Sequence, residues 1–190
     1  MPSLAKHVPW EAYGERAALM ISDRRPGLEN AVSQPERMSV EVDGKNVSYT
    51  PDYQLTFIND MAEVLEVKGE QQLLDERTQK KLAAAELVIA MSGRRFRVLN
   101  STTLTKSMEL RNVQLLRRYA TWPVSREQAD SILSGFRAQS EISLNILVDA
   151  ASQFGIVREQ IYALIYRNTL DHDWSILISD STQIRVGKSL

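Results

Sequence analysis

Two stretches of sequence, Thr50-Pro51-Asp52-Tyr53 and Val64-Leu65-Glu66-Val67-Lys68, decide the fold of this chain and the chemistry it can carry. Together they give Pro-Asp, a spacer and then Glu-X-Lys, within apolar segments that are predicted to be neighbouring strands. Because side chains alternate along a strand, Glu66 and Lys68 are predicted to share one face. Two carboxylates on adjacent strands are oxygen ligands suited to a divalent metal ion, and a nearby lysine can orient or help to deprotonate a water.

The second stretch predicts that charged groups lie close to the core. We expect its apolar residues to face the core, and Glu66 and Lys68 to lie on the opposite face of the strand. Burying such a pair without partners is unfavourable, and a metal ion held by Asp52 and Glu66 would compensate for it. The alternative is a surface hairpin with an ion pair between Glu66 and Lys68, because so short a motif also arises by chance.

The composition is that of a globular protein with a real core. The chain has 190 residues, 43% of them hydrophobic, which predicts one domain or two small ones. There is no cysteine and there are only two histidines, which argues against thiolate or histidine-rich metal sites. No apolar run approaches the roughly 20 residues of a membrane helix, and the N-terminus does not resemble a secretory signal. We therefore expect a cytoplasmic protein without a membrane partner.

The formal net charge of -1 argues mildly against strong DNA affinity by the chain alone. Arginine and lysine are nevertheless concentrated just after the Glu-X-Lys stretch, between Arg77 and Arg97. The alternative interpretation is a set of solvated surface cations.

The first half of the chain predicts a small α/β domain with a mixed sheet, assigned to residues 1–103. Helical periodicity and strand alternation indicate the following order: helix 9–23, strands 38–42, 46–49 continuing through 54–58, and 62–67, helix 71–91 and strand 95–99. Asp43-Gly44 predicts a two-residue hairpin turn, and Asn59-Asp60 predicts a second turn. The strand–helix–strand order at the end implies a right-handed crossover and parallel pairing.

The second half predicts a mostly helical, winged-helix-like domain, assigned to residues 104–190. Its expected elements are helices over 104–120, 125–136, 141–153 and 157–168, then a hairpin of 174–179 with 182–186. A helix bundle with a terminal hairpin fits the same pattern.

The order of predicted elements around the motif resembles the core of the PD-(D/E)XK nucleases, and this resemblance implies a third acid from the first helix. Glu11 and Glu15 are four residues apart and are predicted to lie on the same helix face, so physical reasoning does not separate them. The alternative is that both are ordinary solvated glutamates near a helix N-terminus.

The strand–strand–strand–helix–strand order around the motif is similar to the core of the PD-(D/E)XK nucleases. A narrower resemblance, to the TnsA family of transposon endonucleases, covers about residues 10 to 186 and depends mainly on the order of short motifs. Those motifs are Gly14–Ile21, Arg25-Pro26, Ser33-Gln34-Pro35, Tyr49-Thr50-Pro51-Asp52, Glu66-Val67-Lys68 and the segment Leu110–Tyr119.

The resemblance implies a Mg²⁺-dependent endonuclease, in which Mn²⁺ would substitute, and it favours Glu15 over Glu11. Asp52, Glu66 and Glu15 would hold metal and Lys68 would position the nucleophile. A TnsA-type subunit nicks the 5′ ends of the element in double-stranded DNA, beside an integrase-fold transposase subunit. Its C-terminal domain contacts DNA and an AAA+ ATPase regulator.

Three side chains of the helix after the motif are candidate DNA contacts, by analogy with related nucleases: Gln79, Lys80 and Lys81. Solvated helix surface is their alternative role. Two other functions stay open for the chain. One is a stand-alone phage or defence nuclease of the same fold. The other is an inactive winged-helix adaptor, against which the intact Asp52, Glu66 and Lys68 argue.

Overall fold

The computed structural model describes residues 8–58 and 61–187. The chain divides into two compact units between Lys106 and Ser107. The functional assignment of residues 1–103 and 104–190 as separate domains stays a prediction. The predicted turn at Asn59-Asp60 and the features of the first seven residues lie outside the described part of the chain.

The N-terminal unit is a mixed α/β structure. Its strands are β1 (Leu28–Ser33), β2 (Met38–Val42), β3 (Lys45–Tyr49), β4 (Tyr53–Phe57), β5 (Ala62–Lys68) and β6 (Arg95–Asn100). Its helices are α1 (Tyr13–Ser22), α2 (Glu70–Leu74), α3 (Glu76–Met91) and α4 (Ser101–Lys106).

The main sheet has the order β1-β4-β5-β6 among the described strands. β4 is antiparallel to both β1 and β5, whereas β5 is parallel to β6, so the predicted mixed sheet with a parallel crossover is confirmed. β5 is an interior strand, and Glu63 through Val67 are all buried. The interior position explains the apolar character of this strand, since both of its faces are covered.

Two features of this sheet differ from the sequence prediction. β1 was not predicted as a strand, because a register shift between Leu28 and Asn30 disrupts its alternation. β2 and β3 form a separate two-stranded sheet, so the strand predicted to run from 46 into 58 is interrupted. Pro51 stands at that interruption, where the chain passes from one sheet to the other. The turn at Asp43-Gly44 is confirmed, with φ values of 50° and 72°.

The main sheet carries a hydrophobic cluster on each face. Leu19 of α1 packs with Tyr53, Leu55 and Leu65 on one face. On the other face lies the second cluster, which contains Val40, Tyr49, Val64, Ala85 and Ile89. Consecutive residues of β5 therefore serve opposite clusters, as strand alternation requires.

Both long helices predicted in the middle of the chain are interrupted by a new N-cap. Asp75 separates α2 from α3 and its carboxylate accepts a hydrogen bond from the Thr78 N–H at 2.8 Å. Ser107 separates α4 from α5 (Met108–Leu116) and accepts from the Leu110 N–H at 3.1 Å. A side-chain cap satisfies a backbone donor that a continuous helix would bond internally, so helical periodicity alone missed both breaks.

The C-terminal unit is mostly helical with a small sheet. After α5 come α6 (Arg126–Ser134), β7 (Glu141–Ser143), α7 (Leu144–Ser152), α8 (Arg158–Tyr166), β8 (Leu170–Asp171) and β9 (Gln183–Val186). The described strands pair in the order β7-β9-β8, and both pairings are antiparallel. Residues 141–143, predicted as helix, are a strand because they pair with β9.

The predicted terminal hairpin is wrong in its first strand. β9 pairs with β8 rather than with the segment 174–179, which has no strand structure. The buried Asn112 amide holds that segment: it accepts from the Ile178 N–H at 2.9 Å and donates to the Ile176 carbonyl at 2.8 Å. Backbone groups that bond a side chain are not available for a strand ladder. Across the described ranges, no helix is both long and apolar enough to span a membrane.

Candidate active site

Asp52 lies at the point where the chain enters the main sheet. Its carboxylate Oδ2 accepts a hydrogen bond from the Val67 N–H of β5 at 2.7 Å. Its backbone carbonyl accepts from the Gln34 N–H at 2.8 Å. These two bonds fix both the backbone and the side chain of Asp52 beside the end of β5.

Glu66 and Lys68 are neighbours on one face of β5. Glu66 is only 2% exposed, and its Oε2 accepts a hydrogen bond of 2.6 Å from the Tyr49 hydroxyl. Its other oxygen, Oε1, forms an ion pair with the Lys68 ammonium. The same ammonium lies 3.8 Å from Asp52 Oδ2, so one lysine stands between the two carboxylates.

The face that carries Glu66 differs from the prediction in one respect. Val64 shares it, and this face is covered by the cluster that includes Tyr49 and Ala85 of α3. Glu66 is therefore buried inside the protein rather than on a face opposite the core. A buried carboxylate with a hydroxyl on one oxygen and an ammonium on the other is the arrangement expected where an ionised group is needed.

The pKa of Asp52 is raised to about 6. Burial is the main cause and the charge of Glu66 is the next, while the Val67 N–H and Lys68 oppose them. Glu15 also raises this pKa, which shows that its charge acts at Asp52. Like charges held together in a partly buried place are typical of functional sites.

Glu15 and Glu11 are not on one helix face, which corrects the prediction. α1 begins at Tyr13, so Glu11 precedes the helix and Glu15 lies in its first turn. The Glu11 N–H donates to Glu15 Oε2 at 2.9 Å, and the Glu11 carboxylate accepts from the Gln34 side chain at 2.7 Å. Glu11 is exposed and Glu15 is half-buried.

Gly14 sets how closely α1 approaches the end of the sheet. A Cβ atom at this position would lie 2.4 Å from the Ser101 Cβ and 3.3 Å from a Val67 methyl. Only glycine allows this contact, and it brings the first turn of α1, with Glu15, towards the carboxyl end of β5.

The three candidate DNA contacts on α3 have contacts within the N-terminal unit. The Gln79 amide donates to the Leu73 carbonyl at 2.8 Å. Lys80 pairs with Asp43 at 3.2 Å and with Glu76 at 3.1 Å. The Lys81 ammonium lies 5.4 Å from the centre of the Tyr49 ring, which places it near the buried end of the site. Their role in DNA binding stays a prediction.

The donor set suits a hard divalent cation. Asp52 and Glu66 both present carboxylate oxygens to the Lys68 ammonium, and Mg²⁺ prefers such oxygen ligands. Within residues 8–58 and 61–187, no group of three or more histidine, aspartate or glutamate side chains is arranged to hold a metal ion. The residues that fit a metal ion are thus the pair Asp52 and Glu66, and Glu15 is a further acid whose charge acts on Asp52.

Sequence reasoning missed two residues of this site. Tyr49 and Tyr53 stand three residues before and one residue after Asp52, and each hydroxyl donates to a candidate acid. The signal was present as Tyr-X-X-Asp-Tyr, but large aromatic side chains in strands are usually explained by packing.

Residues 28–101 match the sequence family described as TnsA-like endonuclease N terminal. This segment is similar to the N-terminal domain of TnsA-like endonucleases. The match contains Asp52, Glu66 and Lys68, whereas Glu11, Glu15 and the C-terminal unit lie outside it. Among curated proteins, no sequence matches the chain.

Proposed function

We propose that the protein is a Mg²⁺-dependent DNA endonuclease subunit of a heteromeric transposase and cuts at the 5′ ends of a transposable element. The observation that carries this proposal is that Asp52 and Glu66 converge on Lys68 within the TnsA-like segment. A scaffold that had lost its activity would have no need to bury Glu66 beside a second carboxylate, since such an arrangement is unfavourable by itself.

Each residue has a defined task in this proposal. Asp52 and Glu66 would hold Mg²⁺, with Glu15 as a further acid, and Mn²⁺ would substitute. The bound ion would supply stabilisation of the negative charge on the phosphate. Lys68 is held by its pairing with Glu66, and its ammonium would orient an attacking water and, by its positive charge, favour loss of the water's proton to solvent.

The C-terminal unit is proposed to be a winged-helix-like module. Its support is the element order α6-β7-α7-α8-β8-β9 together with the strand order β7-β9-β8. Two arginines at the ends of α8 are engaged inside this unit: Arg158 pairs with Asp180, and Arg167 donates to the Trp122 carbonyl. Arginines that are already bonded within the unit contribute less to DNA affinity than arginines that are free to contact phosphates.

Partners are therefore proposed to supply much of the DNA binding. The net charge of -1 makes strong electrostatic binding to DNA by this chain alone unfavourable. The proposed partners are an integrase-fold transposase subunit and an AAA+ ATPase regulator. The proposed compartment is the cytoplasm.

The decisive experiment is a strand-specific nicking assay on a duplex that contains an element end, with Mg²⁺ and with or without the partner subunits. Lys68→Met is expected to reduce cleavage on the order of 100-fold or more, because the nucleophile loses its positioning group. Lys45→Met is the matched control, since Lys45 is an exposed lysine of β3 outside the site. It should change cleavage little.

Two results would contradict the proposal. Equal cleavage by the wild-type protein and Lys68→Met would remove Lys68 from the site. Full cleavage by the wild-type chain without partners, on DNA of any sequence, would favour a stand-alone nuclease of the same fold.

A further inference from the structure

The five residues Tyr49-Thr50-Pro51-Asp52-Tyr53 contribute more to the site than the carboxylate of Asp52 alone. Tyr49 is the last residue of β3 and Tyr53 is the first residue of β4. Between them the chain leaves the two-stranded sheet and enters the main sheet. The two rings consequently pack into different clusters: Tyr49 lies in the cluster with Ala85 of α3, and Tyr53 in the cluster with Leu19 of α1.

The Tyr49 hydroxyl approaches the site from the α3 side. It donates to Glu66 Oε2 at 2.6 Å, while Lys68 takes the other oxygen. The ring itself is 3% exposed, and the edge-to-face contact with Phe96, at 6.4 Å and 85°, restrains its orientation. Because the ring is restrained, the hydroxyl restricts the rotation of the Glu66 carboxylate.

The Tyr53 hydroxyl approaches from the α1 side. It lies 3.3 Å from Glu15 Oε2 and 3.1 Å from the Pro9 carbonyl. Its ring is fully buried. This hydroxyl therefore divides its hydrogen bonding between the Glu15 carboxylate and the backbone that precedes α1, which is a weaker restraint than the one on Glu66.

We propose that Tyr49 and Tyr53 are positioning residues that fix Glu66 and Glu15, respectively, for metal binding. This inference rests on the proposed function, because it deepens the account of the same site. A phenylalanine at either position would fill the same apolar space, so packing alone does not explain the hydroxyls. Hydrogen bonds to ligating carboxylates orient them and commonly change metal affinity by about 10–100-fold.

The test is calorimetric titration of the full chain with Mg²⁺ in the presence of element-end DNA, followed by cleavage at increasing Mg²⁺. We expect Tyr49→Phe to weaken Mg²⁺ binding by about 10–100-fold and Tyr53→Phe by about 3-fold. Cleavage by Tyr49→Phe should return towards the wild-type maximum at high Mg²⁺. Tyr119→Phe, in the C-terminal unit, is the control and should bind Mg²⁺ as the wild type does.

A double-mutant cycle tests whether Tyr49 acts through Glu66, and unfolding measurements separate this effect from a loss of stability. If Tyr49 acts through Glu66, Tyr49→Phe should have no further effect on Mg²⁺ affinity in a Glu66→Gln background. Thermal unfolding of each variant identifies the temperature at which all are folded, and the titrations are made there. A purely structural role would lower the unfolding midpoint and leave the Mg²⁺ dissociation constant of the folded protein unchanged.

The outcomes separate the inference from the proposed function. If the wild type binds Mg²⁺ and cuts DNA while Tyr49→Phe has the same Mg²⁺ affinity, the inference is wrong and the proposed function stands. If the wild type neither binds Mg²⁺ nor cuts with its partners present, the proposed function is wrong and the inference fails with it.

Discussion

The two sides of the candidate site hold their carboxylates in different ways. On the strand side, Glu66 is buried within β5 and Asp52 is bonded to the β5 backbone. On the helix side, Glu15 is half-buried and Glu11 is exposed, and both depend on contacts made before α1 or in its first turn. The register of the sheet determines the positions of the strand-side carboxylates, whereas the packing of α1 against the sheet determines those of the helix-side carboxylates. We therefore expect substitutions on the strand side to have the larger effects.

The largest loss of cleavage is expected from the strand-side variant Glu66→Gln. The variant keeps the size of the side chain and an oxygen that can accept from Tyr49, but it removes the charge that pairs with Lys68. Single-turnover cleavage should fall on the order of 1,000-fold, because a proposed metal ligand is lost, not merely a group that orients one. A fall of less than about 10-fold, below even the effect of a lost orienting bond, would place the metal elsewhere.

A smaller difference in cleavage is expected between the two helix-side variants, Glu15→Gln and Glu11→Gln. Glu15 acts electrostatically on Asp52 and bonds Tyr53, so its variant should lose about 10–100-fold in cleavage. Glu11 bonds the Gln34 side chain at the surface, so its variant should change cleavage by no more than about 3-fold. Parallel cleavage assays of the two variants measure this difference. A larger loss in Glu11→Gln than in Glu15→Gln would make Glu11 the acid of the site.

The sequence predicts the two sides unequally well. Period-two alternation and the Pro-Asp step predicted that Asp52, Glu66 and Lys68 come from neighbouring strands. The pairing of β4 with β5 agrees with this, although Asp52 itself lies one residue before β4. The same reasoning did not predict the start of α1 at Tyr13, because the preceding residue Ala12 carries no side-chain cap to mark it. The close packing at Gly14, which positions this helix, is a contact with Ser101, a residue far away in the sequence.

The Tyr49 and Tyr53 hydroxyl bonds were also beyond sequence reasoning. They require that β3 and β4 belong to different sheets, so that the two rings enter different clusters. A hydrophobic pattern shows that a tyrosine is buried, but it does not show which carboxylate its hydroxyl contacts.

The smallest effect on cleavage is expected at the opposite end of β5. Burial by itself would raise the pKa of Glu63, but the hydrogen bonds and charges of Arg25 and Arg97 outweigh it, so this pKa is lowered. An acid with a lowered folded-state pKa stabilises the fold above its unfolded-state pKa, and that stabilisation is lost as the pH falls through the folded-state value. Glu63 should therefore stabilise the protein at neutral pH and lose this contribution in acid.

Glu63→Gln should accordingly lower the free energy of unfolding at pH 7 by roughly 2–4 kcal/mol, since it leaves Arg25 without its carboxylate partner. The difference from the wild type should shrink as the pH falls into the acid range and Glu63 becomes protonated, because its pKa is lowered in the folded state. Urea unfolding at several pH values measures this. At a temperature where the variant is folded, cleavage should be close to that of the wild type, and a large loss would extend the site along β5.

The most direct measurement of the central claim is the thermal unfolding midpoint of Asp52→Asn at neutral pH, with and without Mg²⁺, paired with the nicking assay. Burial and the charge of Glu66 disfavour the ionised Asp52, while asparagine still accepts from the Val67 N–H. We predict that the variant has a higher midpoint than the wild type without Mg²⁺, gains nothing from Mg²⁺ and does not cleave. The wild type should be stabilised by Mg²⁺, as a ligand that binds the folded state requires. A variant that is less stable without Mg²⁺, yet still gains stability from it and still cuts DNA, would contradict the account.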